Sequence, residues 1–400
     1  MIRKVFPNRN VALLFYGQLI SHIGDSLYLI GLMWLVLELT GSKAAMGIVA
    51  MISYLPMLLF GMFAGILVDL VDRRRVMLAS DLLRAITVGL LAVTLGLEAT
   101  TLGVIFVVSF ALSTFSTVFN PARDALLPEL VEREQLLRAN ALMQVSHYAA
   151  MLLGPALGAA LLGSLGLIHL FTFDALSFVA SFFALTLLRT KVSARIQIGA
   201  EVLRGHFMEM VRYIHHDQRL RFMLGLTAIN NFFIMGPALV GTPIFVKEVL
   251  QRGAASYALV ESALGFGMLA GAFVTNLASR YMNKGRILLV GIIGDGLTYA
   301  AIYFCHSLEA LMALVALHAV AIPMIVVPRT ALVQEWVGPE HRGRVFSLLN
   351  VAVVGMTAIS NAAAGWLAER MSSAALFGIF GVFATLCGVV GWGYARLRNA

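Results

Sequence analysis

The chain alternates between long apolar stretches and short polar breaks. The apolar stretches cover residues 11–38, 45–69, 76–97, 100–121, 139–163 and 167–188, and then 220–246, 256–279, 286–306, 309–331, 342–367 and 373–395. A helix needs about 20 mostly apolar residues to cross a hydrocarbon core about 30 Å thick. The pattern therefore predicts an all-α polytopic membrane protein with twelve transmembrane helices, arranged as two pseudo-symmetric bundles of six.

One longer polar stretch separates the two sets. We predict an N-terminal bundle over 1–189, a cytoplasmic linker over 190–218 and a C-terminal bundle over 219–400. Within the linker, an apolar stripe typical of a helix lying on the membrane surface can be drawn through Val202, Phe207, Met210, Val211 and Ile214. The simpler interpretation is a tether between the two halves.

The composition calls for lipid as the surrounding solvent. Hydrophobic residues make up 60% of the chain and charged residues only 12%, against about 25% charged in soluble domains. Both cysteines, Cys305 and Cys387, lie within apolar stretches, which argues against a disulfide framework or a metal site. We therefore expect membrane lipid as the surroundings, and neither a cofactor nor a metal.

The basic residues indicate how the chain is oriented. The formal charge of +8 is spread over the short breaks between apolar stretches, which argues against a nucleic-acid partner. With a cytoplasmic N-terminus, 25 of the 29 lysines and arginines fall on the cytoplasmic side, Arg84 among them. The positive-inside rule favours this arrangement. We predict that both termini are cytoplasmic, in a bacterial inner or plasma membrane.

The loop after the second stretch carries a motif. Residues 65–75 read G-I-L-V-D-L-V-D-R-R-R, which resembles the G-x-L-x-D-R-x-G-R-R signature of the major facilitator superfamily of transporters. The matching residues are Gly65, Leu67, Asp69, Arg73 and Arg74, whereas Leu70 and Asp72 depart from the signature. The resemblance implies a cytoplasmic latch, in which Asp69 faces the positive N-terminus of the eleventh helix. Residues 73–75 also fit a purely topogenic role.

A second motif lies in the fifth stretch. Gly154, Pro155 and Gly158 are similar to the G-P-x-x-G-G core of the antiporter motif of proton-coupled exporters, with Ala159 in the last place. Proline interrupts the helical hydrogen-bond ladder and glycine allows close crossing, so a bend is expected there. The alternative is an ordinary kinked packing helix.

Further segments narrow the resemblance. Residues 120–141, together with Asp25 and residues 334–344, resemble the efflux branch that contains macrolide pumps and the enterobactin exporter. This implies a monomeric secondary exporter of amphipathic small molecules, drug-like compounds or siderophores, that works by alternating access and proton antiport. Lysophospholipid carriers share several of these segments, so a lipid transporter is the alternative. The chain has no nucleotide-binding G-x-x-x-x-G-K-[ST] loop and no H-E-x-x-H motif, which argues against an ATP-driven pump and an enzyme.

Ionisable residues within the apolar stretches are the candidates for coupling. A charge at the centre of a bilayer costs roughly 2.5–3.5 kcal/mol on insertion scales, so each is a functional candidate by default. Asp25, near the middle of the first stretch, is our candidate for proton coupling; the alternative is a carboxylate fixed by local hydrogen bonds or by a buried cation. His147 and His318 are candidate proton carriers, although a lone histidine on an apolar helix is more often a packing residue. For Asp174 and Asp295 we expect structural hydrogen bonding.

The resemblance also implies a gate and a cavity. Arg123 and Asp124 end the fourth stretch and can pair with each other or with groups across the cytoplasmic gate. Arg329 holds the matching place in the tenth stretch, and under the internal repeat this favours a gate role for all three; surface topogenic charge is the alternative. The first, fourth, seventh and tenth helices would line the substrate cavity. From them we select Tyr28, Trp34, Asn230, Asn231, Phe233 and His318, whose aromatic and amide groups suit an adaptable apolar pocket. Contact with lipid or with other helices is the alternative for each.

Overall fold

The computed structural model describes residues 5–189 and 214–400, and in these ranges every regular element is a helix. Six long helices precede residue 189, namely α1 Arg9–Thr40, α2 Lys43–Leu70, α3 Arg73–Gly96, α4 Leu102–Leu126, α5 Leu136–Ser164 and α6 Ile168–Thr186. Six follow residue 214, namely α7 Gln218–Val249, α8 Ala254–Ala278, α9 Lys284–Ile302, α10 Leu308–Trp336, α11 Pro339–Ala368 and α12 Ser373–Gly393. All twelve contain a segment long and apolar enough to cross a membrane. The predicted twelve-helix all-α fold is confirmed.

Polar caps fix where many of these helices begin. A side-chain oxygen at the N-cap accepts a hydrogen bond from a backbone N–H of the first turn, which would otherwise have no partner. Such caps come from Asn8, Asp72, Thr101, Asp217, Asn283, Ser307 and Ser372. Asp72 stands where the superfamily signature has glycine, and its carboxylate accepts from the Arg75 N–H at 2.8 Å. The departure from the signature thus gives α3 an N-cap.

Helix α7 changes its winding part-way. It is α-helical over Gln218–Gly236 and π-helical over Pro237–Gly241 and Phe245–Val249, with one α-helical turn between. Proline removes a backbone donor, and wider π turns accommodate such local defects. The hydroxyl of Ser360 on α11 accepts a hydrogen bond from the Gly236 N–H at 2.7 Å. At Gly236 and Pro237 the helix therefore changes its winding without breaking.

Four helix pairings of the first half of the chain recur in the second half. In the first half, α1 packs against α5 and α6, and α3 packs against α4 and α6. In the second half, α7 packs against α11 and α12, and α9 packs against α10 and α12. A shift of six helices converts one set of pairings into the other. This repetition agrees with two related bundles.

The chain divides into two units, which differ slightly from the two predicted bundles. One unit contains residues 1–41 and 52–198, and the other contains 42–51 and 199–400. The start of α2 thus belongs with the C-terminal half. The predicted linker helix lies almost entirely outside the described residues, so the boundaries at 189 and 218 stay a prediction. Two short 3₁₀ helices, Leu127–Glu129 and Arg133–Gln135, form the connection from α4 to α5.

Candidate proton-coupling site

Asp25 lies in a small cluster of titratable groups on α1 and α5. Its Oδ2 is 3.4 Å from Nδ1 of His22, one turn earlier on α1, because residues three apart share a helix face. The ring of His22 meets that of His147 on α5 edge-on, with 5.1 Å between the ring centroids. The Asp25 side chain is 41% exposed and the His22 side chain 17%. The carboxylate therefore lies at the surface of its unit, and His147 is exposed there as well.

The close crossing of α1 and α5 brings these groups together. A Cβ placed on Gly154 would stand 2.5 Å from Cβ of Ser26 and 3.3 Å from the carbonyl oxygen of Ile23. Real carbon atoms do not approach that closely, so the crossing requires glycine at this position. Gly158 and Pro155 of the same motif are buried. The antiporter-like motif thus lies where α5 meets the turn of α1 that carries Asp25.

A second carboxyl group lies directly behind Asp25. Asp174 on α6 is fully buried, and its side chain lies against the backbone of Gly24. The Ser177 hydroxyl is 3.4 Å from Oδ1 of Asp174, while Oδ2 has no hydrogen-bond partner among the described residues. Asp25 therefore lies between the surface of the unit and the buried carboxyl group of Asp174.

A buried ion pair lies deeper in the same unit. Arg84 on α3 pairs with Asp81 one turn earlier, and the two residues are 4% and 0% exposed. The guanidinium lies between the rings of Phe119 and Phe178, 4.3 Å from each centroid, so cation–π attraction replaces part of its lost hydration. Counting Arg84 among the cytoplasmic loop charges was wrong, because it lies in the interior of α3. Its i, i+3 spacing from Asp81 is the sequence signal that predicts such a pair.

The arrangement can move protons. A carboxylate beside one imidazole, with a second imidazole in ring contact, can take up a proton from water and pass it along the cluster, because histidine changes charge near neutral pH. The described residues contain no group of three or more histidine, cysteine, aspartate or glutamate side chains placed to hold a metal ion. The chemistry that the cluster supports is acid–base chemistry.

The predicted gate residues of the first unit bind neighbouring helix ends. Arg73 pairs with Glu129 and donates to the carbonyl oxygen of Ala125 at 3.1 Å. Arg74 donates to the last carbonyls of α6, at 2.9 Å for Leu185 and 2.5 Å for Thr186. A cation at a helix C-terminus is favourable because the exposed carbonyls are negative. These arginines therefore tie α3 to α4 and α6.

The remaining gate residues are placed as follows. Arg123 pairs with Asp124 at 2.8 Å and donates to Gln18 on α1 at 3.3 Å. Arg329 is half-buried on α10, and its Nε has no hydrogen-bond partner among the described residues. A Cβ on Gly65 would have no described atom within 4 Å. The side chain of Asp69 lies outside the described part of the chain, so its latch role stays a prediction.

Comparison with known proteins settles the family. Residues 5–398 match the family described as "Transmembrane secretion effector", and that match covers nearly the whole chain. This protein is a major facilitator superfamily transporter.

Its relatives include drug efflux pumps. The efflux transporter is 28% identical over 396 residues to the multidrug efflux pump Tap of Mycolicibacterium fortuitum, covering 97% of this chain and 96% of the pump. It is 24% identical over 335 residues to macrolide efflux protein A of Streptococcus pyogenes, covering 83% and 82% of the two chains. The predicted membership of an efflux branch is confirmed, and the chain is a transporter rather than an enzyme.

Solved structures share the fold at low identity. A nucleoside transporter, NupG, superposes with a TM-score of 0.79 at 14% identity, covering 96% of this chain and 99% of the other. A bacterial homologue of the iron transporter ferroportin, in an inward-facing state, superposes with a TM-score of 0.76 at 17% identity, covering 96% and 98%. At such identities the likeness concerns the fold alone.

In this efflux transporter the predicted cavity residues of α7 contact neighbouring helices. Asn230 donates to Asp295 on α9 at 3.0 Å. Asn231 donates to the Thr357 hydroxyl on α11 at 2.7 Å. Phe233 stacks on Phe383 of α12, with 5.3 Å between centroids and 15° between planes. Their role in binding substrate stays a prediction.

The other cavity candidates of the transporter are also buried. The Tyr28 hydroxyl lies 3.2 Å from that of Ser109 on α4, and the Trp34 indole donates to Glu38 at 2.6 Å. His318 on α10 is 1% exposed and lies beside Asp295. These contacts join each candidate to another side chain of its own unit.

Proposed function

We propose that this transporter is a proton-coupled exporter of amphipathic small molecules, acting as a monomer with both termini in the cytoplasm of a bacterial cell. The observation that supports it best is the Asp25, His22 and His147 cluster at the α1–α5 crossing. Drug efflux by two relatives supports the cargo class. Siderophores fit the same amphipathic class.

The coupling follows from the position of Asp25. An ionised carboxylate within the membrane span is costly unless water or a cation reaches it. In alternating access, Asp25 takes a proton from outside and releases it inside, and substrate binding competes with the protonated form. His22 supplies the next proton position because it lies beside the carboxylate. His147 supplies the one after it because its ring is in contact with that of His22. Export is thereby coupled to inward proton movement.

Efflux from inverted membrane vesicles tests this proposal. With an inside-acid pH gradient, vesicles containing the wild-type protein should accumulate labelled erythromycin, a macrolide, and collapsing the gradient should stop accumulation. Asp25→Asn should reduce accumulation to the level without a gradient, because the amide cannot exchange a proton at neutral pH. Glu132→Gln is the matched control, since Glu132 is an exposed carboxylate between the two 3₁₀ helices.

The outcomes separate the parts of the proposal. If the wild type accumulates erythromycin equally with and without the gradient, proton antiport is wrong. If Asp25→Asn accumulates as well as Glu132→Gln under the gradient, another group couples transport. Tags at the two ends that report opposite faces of the membrane would contradict the proposed topology.

An apolar groove favours a lipid carrier as the second candidate function. It has a volume of about 470 Å³ and lies between α1, α5 and α6. Its lining is Ile20, Ile23, Gly24, Leu27, Leu157, Leu161, Phe173, Leu176 and Ser177. An acyl chain fits such a lining, because transfer of apolar groups from water is favourable. Gradient-independent transfer of a fluorescent lysophosphatidylcholine between vesicle leaflets would favour this candidate, and failure to transfer it would remove it.

A further inference from the structure

The C-terminal unit holds a histidine and an aspartate side by side in its interior. Nδ1 of His318 on α10 lies 2.9 Å from Oδ1 of Asp295 on α9, a distance that fits an ion pair, although the two atoms are not aligned as a hydrogen bond. The two residues are 1% and 2% exposed. The side-chain amide of Asn230 on α7 donates to the other carboxylate oxygen at 3.0 Å, and its own carbonyl oxygen has no partner among the described residues. Three helices thus meet at one titratable pair.

Few other charges face this pair. Tyr299, one turn along α9, places its ring 4.1 Å from the His318 ring, and Glu261 on α8 acts electrostatically on Tyr299. The sequence of α12 contains no charged residue. The nearest basic residues on α9 and α10 are Arg286 and Arg329, more than two helical turns away in each case. The charge near the pair therefore depends on its own protons and on that of Glu261.

The first unit contains a corresponding buried ion pair, whose cation is an arginine and not a histidine. Helix α3, which pairs with its neighbours as α9 does, carries the buried Asp81 and Arg84. An arginine stays protonated under all physiological conditions, so Arg84 itself cannot release a proton. Histidine gains and loses its proton within the physiological range. The cation of the pair in the second unit can therefore lose its proton, whereas that of the first pair cannot.

Burial determines when the pair keeps its proton and when it releases it. When dry, the pair is neutral with one proton, either as imidazolium and carboxylate or as imidazole and carboxylic acid. Loss of that proton leaves an uncompensated buried carboxylate, which is costly unless water or a cationic group reaches it. Proton release is therefore tied to hydration of the interface where α7, α9 and α10 meet.

We propose that His318 and Asp295 form a second proton-binding site, which takes up one proton when the pair is dry and releases it when the α7–α9–α10 interface opens. Its part in transport rests on the proposed antiport, where it adds a proton to that carried by Asp25. Asn230 holds the carboxylate in place and acts as a positioning residue.

Proton release on drug binding tests the site. Purified transporter in a weakly buffered solution with a pH-indicator dye should release protons when erythromycin is added. Asp295→Asn and His318→Gln should each release about half as many protons as the wild type, because each removes one of two linked sites. Combining either substitution with Asp25→Asn should abolish release. His306→Gln, which changes an exposed histidine between α9 and α10, should match the wild type.

The variants distinguish a proton site from a structural pair. Asn at 295 still offers Asn230 an acceptor, so a merely structural pair would leave proton release and its pH dependence unchanged in Asp295→Asn. That result would overturn the proposal while leaving antiport through Asp25 intact. Melting temperatures of the variants, with and without erythromycin, identify any variant that fails to fold.

A spectroscopic measurement covers the case in which antiport itself fails. Infrared difference spectra of the wild type between about pH 5 and pH 8 should contain imidazole bands that disappear in His318→Gln. The same bands should shift in Asp295→Asn and persist in His306→Gln. If wild-type and His318→Gln spectra are identical over this range, the pair does not exchange a proton and the proposal is wrong, whatever drives transport.

Discussion

At the scale of single residues, the most informative groups are charged side chains held inside helix packing. Arg84 is enclosed by Asp81 and two phenylalanine rings. A buried pair of this kind gives little net stability, but removal of one partner leaves an uncompensated charge. The pair therefore constrains how α3, α4 and α6 pack around it.

Replacement of Arg84 tests this constraint. Arg84→Met should lower the free energy of unfolding by about 3–5 kcal/mol, because the Asp81 carboxylate remains buried without its cation. Asp81→Asn combined with Arg84→Met should recover much of the loss, since neither charge is then present. Thermal unfolding of the purified variants in detergent provides the measurement. A single variant as stable as the double variant would show that Asp81 has another compensating partner.

At the scale of elements, the crossing of α1 and α5 depends on one glycine. A Cβ on Gly154 would overlap Ser26, whereas Gly163 on the same helix has no described atom within 4 Å of its Cβ position. The same substitution at the two sites therefore has different consequences. Gly154→Ala should push α5 away from the turn that carries Asp25.

The effect of Gly154→Ala on stability and transport can be measured, and a second substitution should reverse it. Gly154→Ala should cost about 1–3 kcal/mol through overpacking and should reduce gradient-driven erythromycin accumulation. Adding Ser26→Gly removes the overlapping atoms and should restore both properties. Gly163→Ala should be neutral or slightly stabilising, since alanine favours helix. If Gly154→Ala and Gly163→Ala behave alike, the crossing is not as close as the structure indicates.

The sequence predicts the helices but not the contacts between them. The twelve helices follow from apolar length, and Asp25 stands out because a charge in an apolar stretch is costly. The sequence alone does not predict which helix faces are in contact. Three features are therefore not predicted: the proximity of Asp25 to His147, the pairing of Asp295 with His318, and the burial of Arg84. Each omission concerns residues on different helices or a pair buried against rings from other helices.

At the scale of the whole molecule, the division into two units does not coincide with the ends of the helices. Residues 42–51, at the start of α2, belong with residues 199–400. Gly47 lies against the α11 backbone, where its Cβ would stand 2.9 Å from Cα of Gly365. Lys43 pairs with Glu248 at 2.7 Å. A pair of facing glycines and a pair of opposite charges therefore join the start of α2 to the C-terminal unit.

Glu369, just beyond α11, provides a pH-sensitive part of this junction. It accepts hydrogen bonds from the Ala44 N–H at 3.0 Å and the Ser42 hydroxyl at 2.9 Å, and these bonds lower the pKa of its carboxyl group. A carboxylate with a lowered pKa stabilises the folded form above its ordinary pKa, and this contribution is lost as the pH falls through the folded-state pKa. The junction should therefore hold at neutral pH and loosen in acid.

Hydrogen exchange can follow that loosening at the Ala44 amide. At neutral pH, Glu369→Gln should increase deuterium uptake in a peptide covering residues 42–46, because the neutral amide is a weaker acceptor for a first-turn N–H that lacks an intrahelical partner. Glu98→Gln is the control, since Glu98 lies in the loop between α3 and α4. Equal uptake in both variants would mean that the glycine contact and the Lys43–Glu248 pair hold the junction without Glu369. Faster uptake in Glu369→Gln alone would show that this carboxylate holds residues 42–46 against the end of α11.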